Sequence, residues 1–161
     1  MATIAVIMAM RAEAGPLIDE IAAARHELTP SLPTQVFVAE RSGDTTVIGV
    51  NGVDPDHQVD LVGTEPAVLT TMQVIEHWQP DVVISAGTAG GWSRSAAQIG
   101  DVFVAWPHVV RHDRRIGIEG FRNYGIGRHL VWAYSEELAQ HLDASKGVVT
   151  CLLYTSDAAD E

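Results

Sequence analysis

One carboxylate, Glu13, stands a few residues past a short apolar run, TIAVIMA at 3–9. The ends of strands are where α/β sheets collect their ligands, and a carboxylate in such a cleft is a candidate acid–base group. An acidic residue in the first turn of a helix is also what the helix dipole favours, so Glu13 alone carries both readings. A second candidate is the small-residue loop Thr88-Ala89-Gly90-Gly91, directly after another apolar run, DVVISAG at 81–87. Small side chains let backbone approach a ligand closely, although a lone Gly-Gly is equally a tight turn. Neither G-x-G-x-x-G nor G-K followed by Ser or Thr occurs, so the loop is not a dinucleotide or phosphate-loop fingerprint. His108, His112 and Asp113 raise the question of a metal. On an extended strand, residues four apart lie about 13 Å from each other at ~3.3 Å per residue, too far to share one ion. A solvated or ion-paired RHDRR is the better reading, and no metal is expected.

The elements that must position these residues alternate along the chain. After the strand at 3–9, residues 13–26 show helical spacing at Leu17, Ile18, Ile21 and Ala22, with Pro16 tolerated in a first turn. The runs QVFVAE (35–40) and TTVIGV (45–50) flank a turn signal from Ser42 to Asp44 and predict a hairpin. Gly52, Asp54, Pro55 and Asp56 mark a loop over 51–62, and a second helix is expected from about Thr64 to Trp78, with Pro66 near its start. A buried strand covers 81–87, and a longer β segment opens at Asp101. Ser135 is the expected N-cap of a last helix, with Glu136 and Glu137 at its positive end and Lys146 and Gly147 closing it. Strands alternating with helices, plus one hairpin, give an α/β fold with a mixed central sheet flanked by helices.

The 161 residues suit a single domain with a sizeable core. A net charge of −11 disfavours nucleic acid or an anionic membrane as partner, because both carry the same sign. No apolar stretch reaches the ~18 residues a membrane span needs. The N-terminal apolar run lacks a preceding basic segment and meets Arg11 and Glu13 directly, so it reads as a strand rather than a signal peptide. The one cysteine, Cys151, rules out an internal disulfide, and a cytoplasmic location is expected.

Three segments together resemble the 5'-methylthioadenosine/S-adenosylhomocysteine nucleosidases of the nucleoside phosphorylase superfamily. AMRAEAGPL (Ala9 to Leu17) is similar to the family's strand-end A-M-x-x-E. Val62 to Gly91 resembles its helix, strand and G-(S/T)-A-G-G loop without a gap. GDVFVAWPHVVRHDRRIGIEGFRNYG looks most like the plant-type methylthioadenosine nucleosidases, which share an H-D-R-R-I run. The resemblance implies a nucleoside phosphorylase-like fold and hydrolysis of an N-glycosidic bond, releasing adenine and a thioribose from a small-molecule nucleoside without a cofactor. It makes Glu13 the water-activating carboxylate. It also lines the substrate pocket with Ala9, Met10, Val62 (near the 5'-alkylthio group), Thr88, Ala89 and Gly90, the last through its backbone. Core packing is equally compatible with Ala9, Met10 and Val62 as residue types. Phe121 matches, with a spacing one residue longer than in some members, an aromatic that the family lends across a homodimer interface. A phosphorylase of the same superfamily would need basic phosphate ligands, and the nearest arginine to the loop is Arg94. A non-catalytic nucleoside-binding protein is the third reading, against which Glu13 argues.

Residues 1–150 are therefore expected to form the N-terminal two-thirds of one nucleosidase domain. Residues 151–161, CLLYTSDAADE, interrupt a sheet and resemble the translation of a transposase-type sequencing adapter, so they are expected to be a non-native tail. The string Ser156 to Asp160 resembles the family's S-D-x-A-D acid motif, but it follows Thr150 several dozen residues too early and reads as coincidence. The general acid, the purine-stacking residues and the ribose-binding M-E motif are then expected beyond Thr150, leaving this stretch inactive alone.

Overall fold

The computed structural model describes residues 1–28, 32–91, 97–112 and 117–152. Trp92, Arg94, Asp113 and the string Ser156 to Asp160 lie outside these residues, as does the tail from 153. The chain divides into two units, Met1–Ala89 and Gly90–Glu161.

In the first unit, β1 (Thr3–Met8) is followed by α1 (Arg11–Glu20), β2 (Ala24–His26), β3 (Gln35–Arg41), β4 (Asp44–Val50), α2 (Thr64–Trp78) and β5 (Val82–Ser85). Five strands form one mixed sheet in the order β2-β3-β4-β1-β5, with β1 parallel to both its neighbours and β3 antiparallel to β4 and β2. The apolar continuity of β1 has a direct cause: both of its faces are covered. Val6 and Met8 pack with Ala14 and Ile18 of α1 and with Phe37, Ile48 and Val50. Ala5 and Ile7 pack with Val74 of α2 and with Val36 and Val47. A helix thus lies on each face of the sheet, and a strand buried on both sides has no polar alternation to keep.

The hairpin forms as expected, in register from Gln35↔Val50 to Arg41↔Asp44, with Ser42 and Gly43 both at positive φ. The first helix differs from its expected 13–26. It begins at Arg11 and stops at Glu20, and Ala22 takes a left-handed φ of 50° that turns the chain into β2. Residues 24–26 pair antiparallel with Val36–Val38, so an open sheet edge takes them from the helix. Pro16 is consequently the sixth helical residue rather than part of the first turn, where its missing N–H would cost nothing. The second helix spans Thr64–Trp78 as read, and Thr70 and Val74 are its buried residues.

In the second unit, β6 (Phe103–His112) lies between antiparallel β7 (Ile126–Leu130) and parallel β8 (Ser145–Leu152), with α3 (Phe121–Tyr124) and α4 (Ser135–His141). Ser135 is the first residue of α4 and is buried, while Tyr134 holds the N-cap position, so Ser135 is not the cap. Lys146 and Gly147 do not end that helix either. They belong to β8, where Lys146 pairs with the Glu136 carboxylate. Pairing of β8 with β6 continues past Thr150 through Arg111↔Cys151 and His112↔Leu152.

Candidate active site

The site grows from the ends of two neighbouring parallel strands. β1 and β5 pair in register from Ile4↔Val82 to Ile7↔Ser85, and the Ala86 N–H extends the ladder to the Ile7 carbonyl at 3.0 Å. Both segments therefore leave the sheet at the same end. One runs through Ala9 and Met10 into α1, and the other through Gly87 into Thr88. Seventy-five residues of sequence separate Glu13 from Thr88, yet the strand pairing sets them side by side.

Glu13 Oε1 accepts the Thr88 backbone N–H at 2.7 Å and the Thr88 hydroxyl at 2.6 Å. Its Oε2 accepts the Met10 backbone N–H at 3.3 Å. Gly87 eases the approach, because a Cβ at that position would stand 3.3 Å from both carboxylate oxygens, a tight contact. Partial desolvation pushes the carboxyl's pKa up, but the Thr88 hydroxyl, the Thr88 N–H and the Met10 N–H together outweigh it. The net effect holds Glu13 below its ordinary value of 4.5. At neutral pH the group is an ionised, half-buried carboxylate at the mouth of the strands, able to accept a proton from a bound water.

The capping role weighed for Glu13 is real as well. It is the third residue of α1, and its carboxylate reaches back to the N-cap backbone at Met10, an N-cap that makes no side-chain bond of its own. The two roles coexist, since Oε2 faces the helix end while Oε1 faces the loop after β5.

Ala9 and Met10 are half-buried and Val62 is 63 % exposed. Among the described residues none of the three joins either core cluster, which weakens simple core packing as their explanation. Val62 follows a loop that is fastened at Leu61, whose N–H donates to the Gly52 carbonyl at 2.9 Å. Thr88 and Ala89 are exposed in the first unit. Gly90 opens the second unit and has open space where a side chain would be. Phe121 also belongs to the second unit, begins α3, is 49 % exposed and meets Tyr124 edge-on at 6.4 Å. His108 lies on β6 and Asp113 outside the described residues, and among the described residues no group of three metal-type ligands forms. No described helix is long and apolar enough to cross a membrane.

Two features escaped the sequence reading. The direct Glu13–Thr88 pairing depends on β1 and β5 being neighbours, which no local pattern encodes. Asp60, which accepts the Arg11 N–H at 3.2 Å, lies in the loop over 51–62 and carries no local signal that sets it apart.

The chain is similar to the 5'-methylthioadenosine nucleosidase of Arabidopsis thaliana, at 38 % identity over 124 residues, covering 75 % of this chain and 46 % of that protein. It is also similar to a 5'-methylthioadenosine/S-adenosylhomocysteine nucleosidase of the same plant, at 40 % identity over 129 residues, covering 78 % of this chain and 50 % of that one. The chain thus spans about half the length of the curated relatives it matches. The apo structure of Arabidopsis thaliana 5'-methylthioadenosine nucleosidase superposes with a TM-score of 0.86 at 33 % identity, over 93 % of this chain and 62 % of that one. Phosphorylase superfamily sequence matches residues 3–156, from the first strand through the last, and the chain belongs to that superfamily.

Proposed function

We propose that this chain carries the water-activating part of an N-glycosyl hydrolase that splits 5'-methylthioadenosine, and S-adenosylhomocysteine with it, into adenine and a thioribose. Residues 1–150 form the N-terminal part of its single catalytic domain. The observation that carries the proposal is the Glu13 carboxylate, kept ionised by Thr88 and Met10 at the joint end of β1 and β5. The two plant relatives named for this activity and the matching plant fold support it.

Cleavage of the bond builds positive charge on the ribose, as in other reactions through oxocarbenium-like states. A water on the sugar face then adds to the anomeric carbon. Glu13 takes the water's proton, while the C–N bond breaks and its electron pair leaves with adenine, which is protonated by an acid that the resemblance assigns to sequence beyond Thr150. Thr88 holds the base in place, and its neighbours Ala89 and Gly90 bring backbone close to the nucleoside. Ala9, Met10 and Val62 line the pocket, with Val62 toward the 5'-alkylthio group. The complete enzyme is a cytoplasmic homodimer to which α2 and the region of Phe121 contribute, and it meets neither nucleic acid nor membrane.

The test is adenine release from methylthioadenosine by the full-length gene product containing this chain, with and without phosphate. Turnover independent of phosphate is the expected result. A strict phosphate requirement with a 5-methylthioribose 1-phosphate product would make the enzyme a phosphorylase instead, and tight nucleoside binding without turnover would make it a binding protein.

A further inference from the structure

The first turn of α1 is held from two sides by carboxylates, and only one of them belongs to the helix. The N-cap is Met10, which makes no side-chain cap bond, so its side chain gives the helix's first N–H groups no acceptor. Glu13 takes the Met10 N–H, and Asp60, forty-nine residues away, takes the Arg11 N–H at 3.2 Å. Two successive backbone donors beside the reacting carboxylate are thus fixed by two different acids.

Asp60 itself has little freedom. It is half-buried and bridges to Val53 across the loop, and the next residue, Leu61, is clamped at both backbone groups. The Leu61 N–H donates to the Gly52 carbonyl at 2.9 Å, and its carbonyl accepts Nδ2 of the fully buried Asn51 at 3.0 Å. Asn51 and Gly52 directly continue β4, so the clamp is anchored in the sheet. Val62 comes next in sequence. A single short side chain therefore joins the loop that presents Val62 to the helical turn that presents Glu13.

We propose that Asp60 is a positioning residue for the reaction: through the Arg11 N–H it locks the Met10–Glu13 turn to the Val62 loop, so that the water-activating carboxylate and the pocket wall keep one geometry. The inference rests on the proposed hydrolase reading of Glu13. A cap that served stability alone would lower the melting temperature and leave turnover of the folded enzyme untouched. A positioning residue acts on kcat, because a reacting group displaced by ~1 Å can cost ~10²-fold in rate.

The experiment uses the full-length enzyme with Asp60→Ala and Asp60→Asn, reading kcat and KM for methylthioadenosine well below each melting temperature. Asp60→Ala is expected to lower kcat by about tenfold or more with KM within about threefold, a loss inside the range that misplacement produces. Asp60→Asn keeps an acceptor oxygen at the same reach and should recover kcat to within about threefold of wild type, as expected if the hydrogen bond rather than the charge does the positioning. A normal kcat in Asp60→Ala with only a lowered melting temperature overturns the proposal, as does an Asn variant as slow as the Ala one. Should Asp60→Ala fail to fold, Asp60→Glu, which displaces the acceptor by one methylene, is read the same way: slowed turnover supports the lock and normal turnover overturns it. If wild-type enzyme releases no adenine, the hydrolase reading falls by itself. The lock is then judged by amide exchange at Arg11, which must quicken in Asp60→Ala but not in Asp60→Asn, and unchanged exchange overturns it.

Discussion

Desolvation raises the pKa of Glu13 and three donors lower it, of which the Thr88 hydroxyl is the one a side-chain substitution removes. Replacing the carboxylate itself gives the sharpest result. Glu13→Gln keeps size but cannot take a proton, and its NH2 replaces one accepting oxygen, so kcat should fall by at least ~10²-fold while KM changes little. If Glu13 only capped α1, the same change would cost ~1 kcal/mol or less and leave kcat nearly normal. Steady-state kinetics paired with a melting curve separates the two. Thr88→Val deletes the hydroxyl at 2.6 Å but keeps the backbone N–H at 2.7 Å. Those bonds stabilise the charged form, so losing one raises the carboxyl's pKa, and the acid limb of kcat/KM should move to higher pH. Stability follows the same sign. A depressed folded pKa contributes stability above the unfolded value of 4.5, and that contribution is lost as pH falls through the folded one. The melting-temperature gap between wild type and Thr88→Val should therefore be present at neutral pH and close in acid. An acid limb that stays put in the variant would remove Thr88 from the chemistry.

At the scale of elements, the packing of α2 on the sheet leaves no room at Gly49. A Cβ there would lie 2.9 Å from Thr70 Cγ2 and 3.1 Å from both Ile7 Cδ1 and Val74 Cγ2. Gly49→Ala should overpack this contact and cost ~1–3 kcal/mol, seen as a lower urea midpoint at unchanged slope, and an unaltered midpoint would show that α2 can lift away. The same contact explains what the sequence could tell. β1, α2 and the hairpin were legible because periodicity and turn residues are local signals, although α2 buries Thr70 and Val74 against the sheet and leaves its apolar stripe exposed. The end of α1 was not. Ala22 and Ala23 suit a helix, and only the open edge of β3 recruits 24–26 as a strand. α3 and β7 were unread because GFRNYGIGRHL alternates in neither period, and β7 exists through pairing with β6. Glu13 could be singled out by its place after a strand, and Thr88 by its loop. Their mutual bond, and the Asp60 bond behind it, are products of strand order, a long-range property that one sequence does not display.

At the scale of the whole molecule, the exposed face of α2 calls for a covering. Val68, Leu69, Met72 and Ile75 are 59, 44, 48 and 39 % exposed, and their spacing puts them on one stripe of the helix. Trp78, the next aromatic along, does not extend that stripe, since it packs partly buried on the core beside Leu28 and Val38. A stripe of this kind is what the proposed homodimer would bury, and in a two-fold dimer the same helix would supply both sides of it. Leu69→Glu with Met72→Glu would then bring four carboxylates, two from each copy, into one apolar seam without a partner cation. Burying unpaired charge is far more costly than the surface change in a monomer, where both positions already meet water. Sedimentation equilibrium of the full-length protein at micromolar concentration should give twice the chain mass for wild type and the single mass for the double variant. Circular dichroism should be unchanged, because Thr70 and Val74, on the opposite stripe, still hold α2 to the sheet. A wild type that is monomeric and fully active would remove the dimer. A double variant that stays dimeric would move the interface off α2.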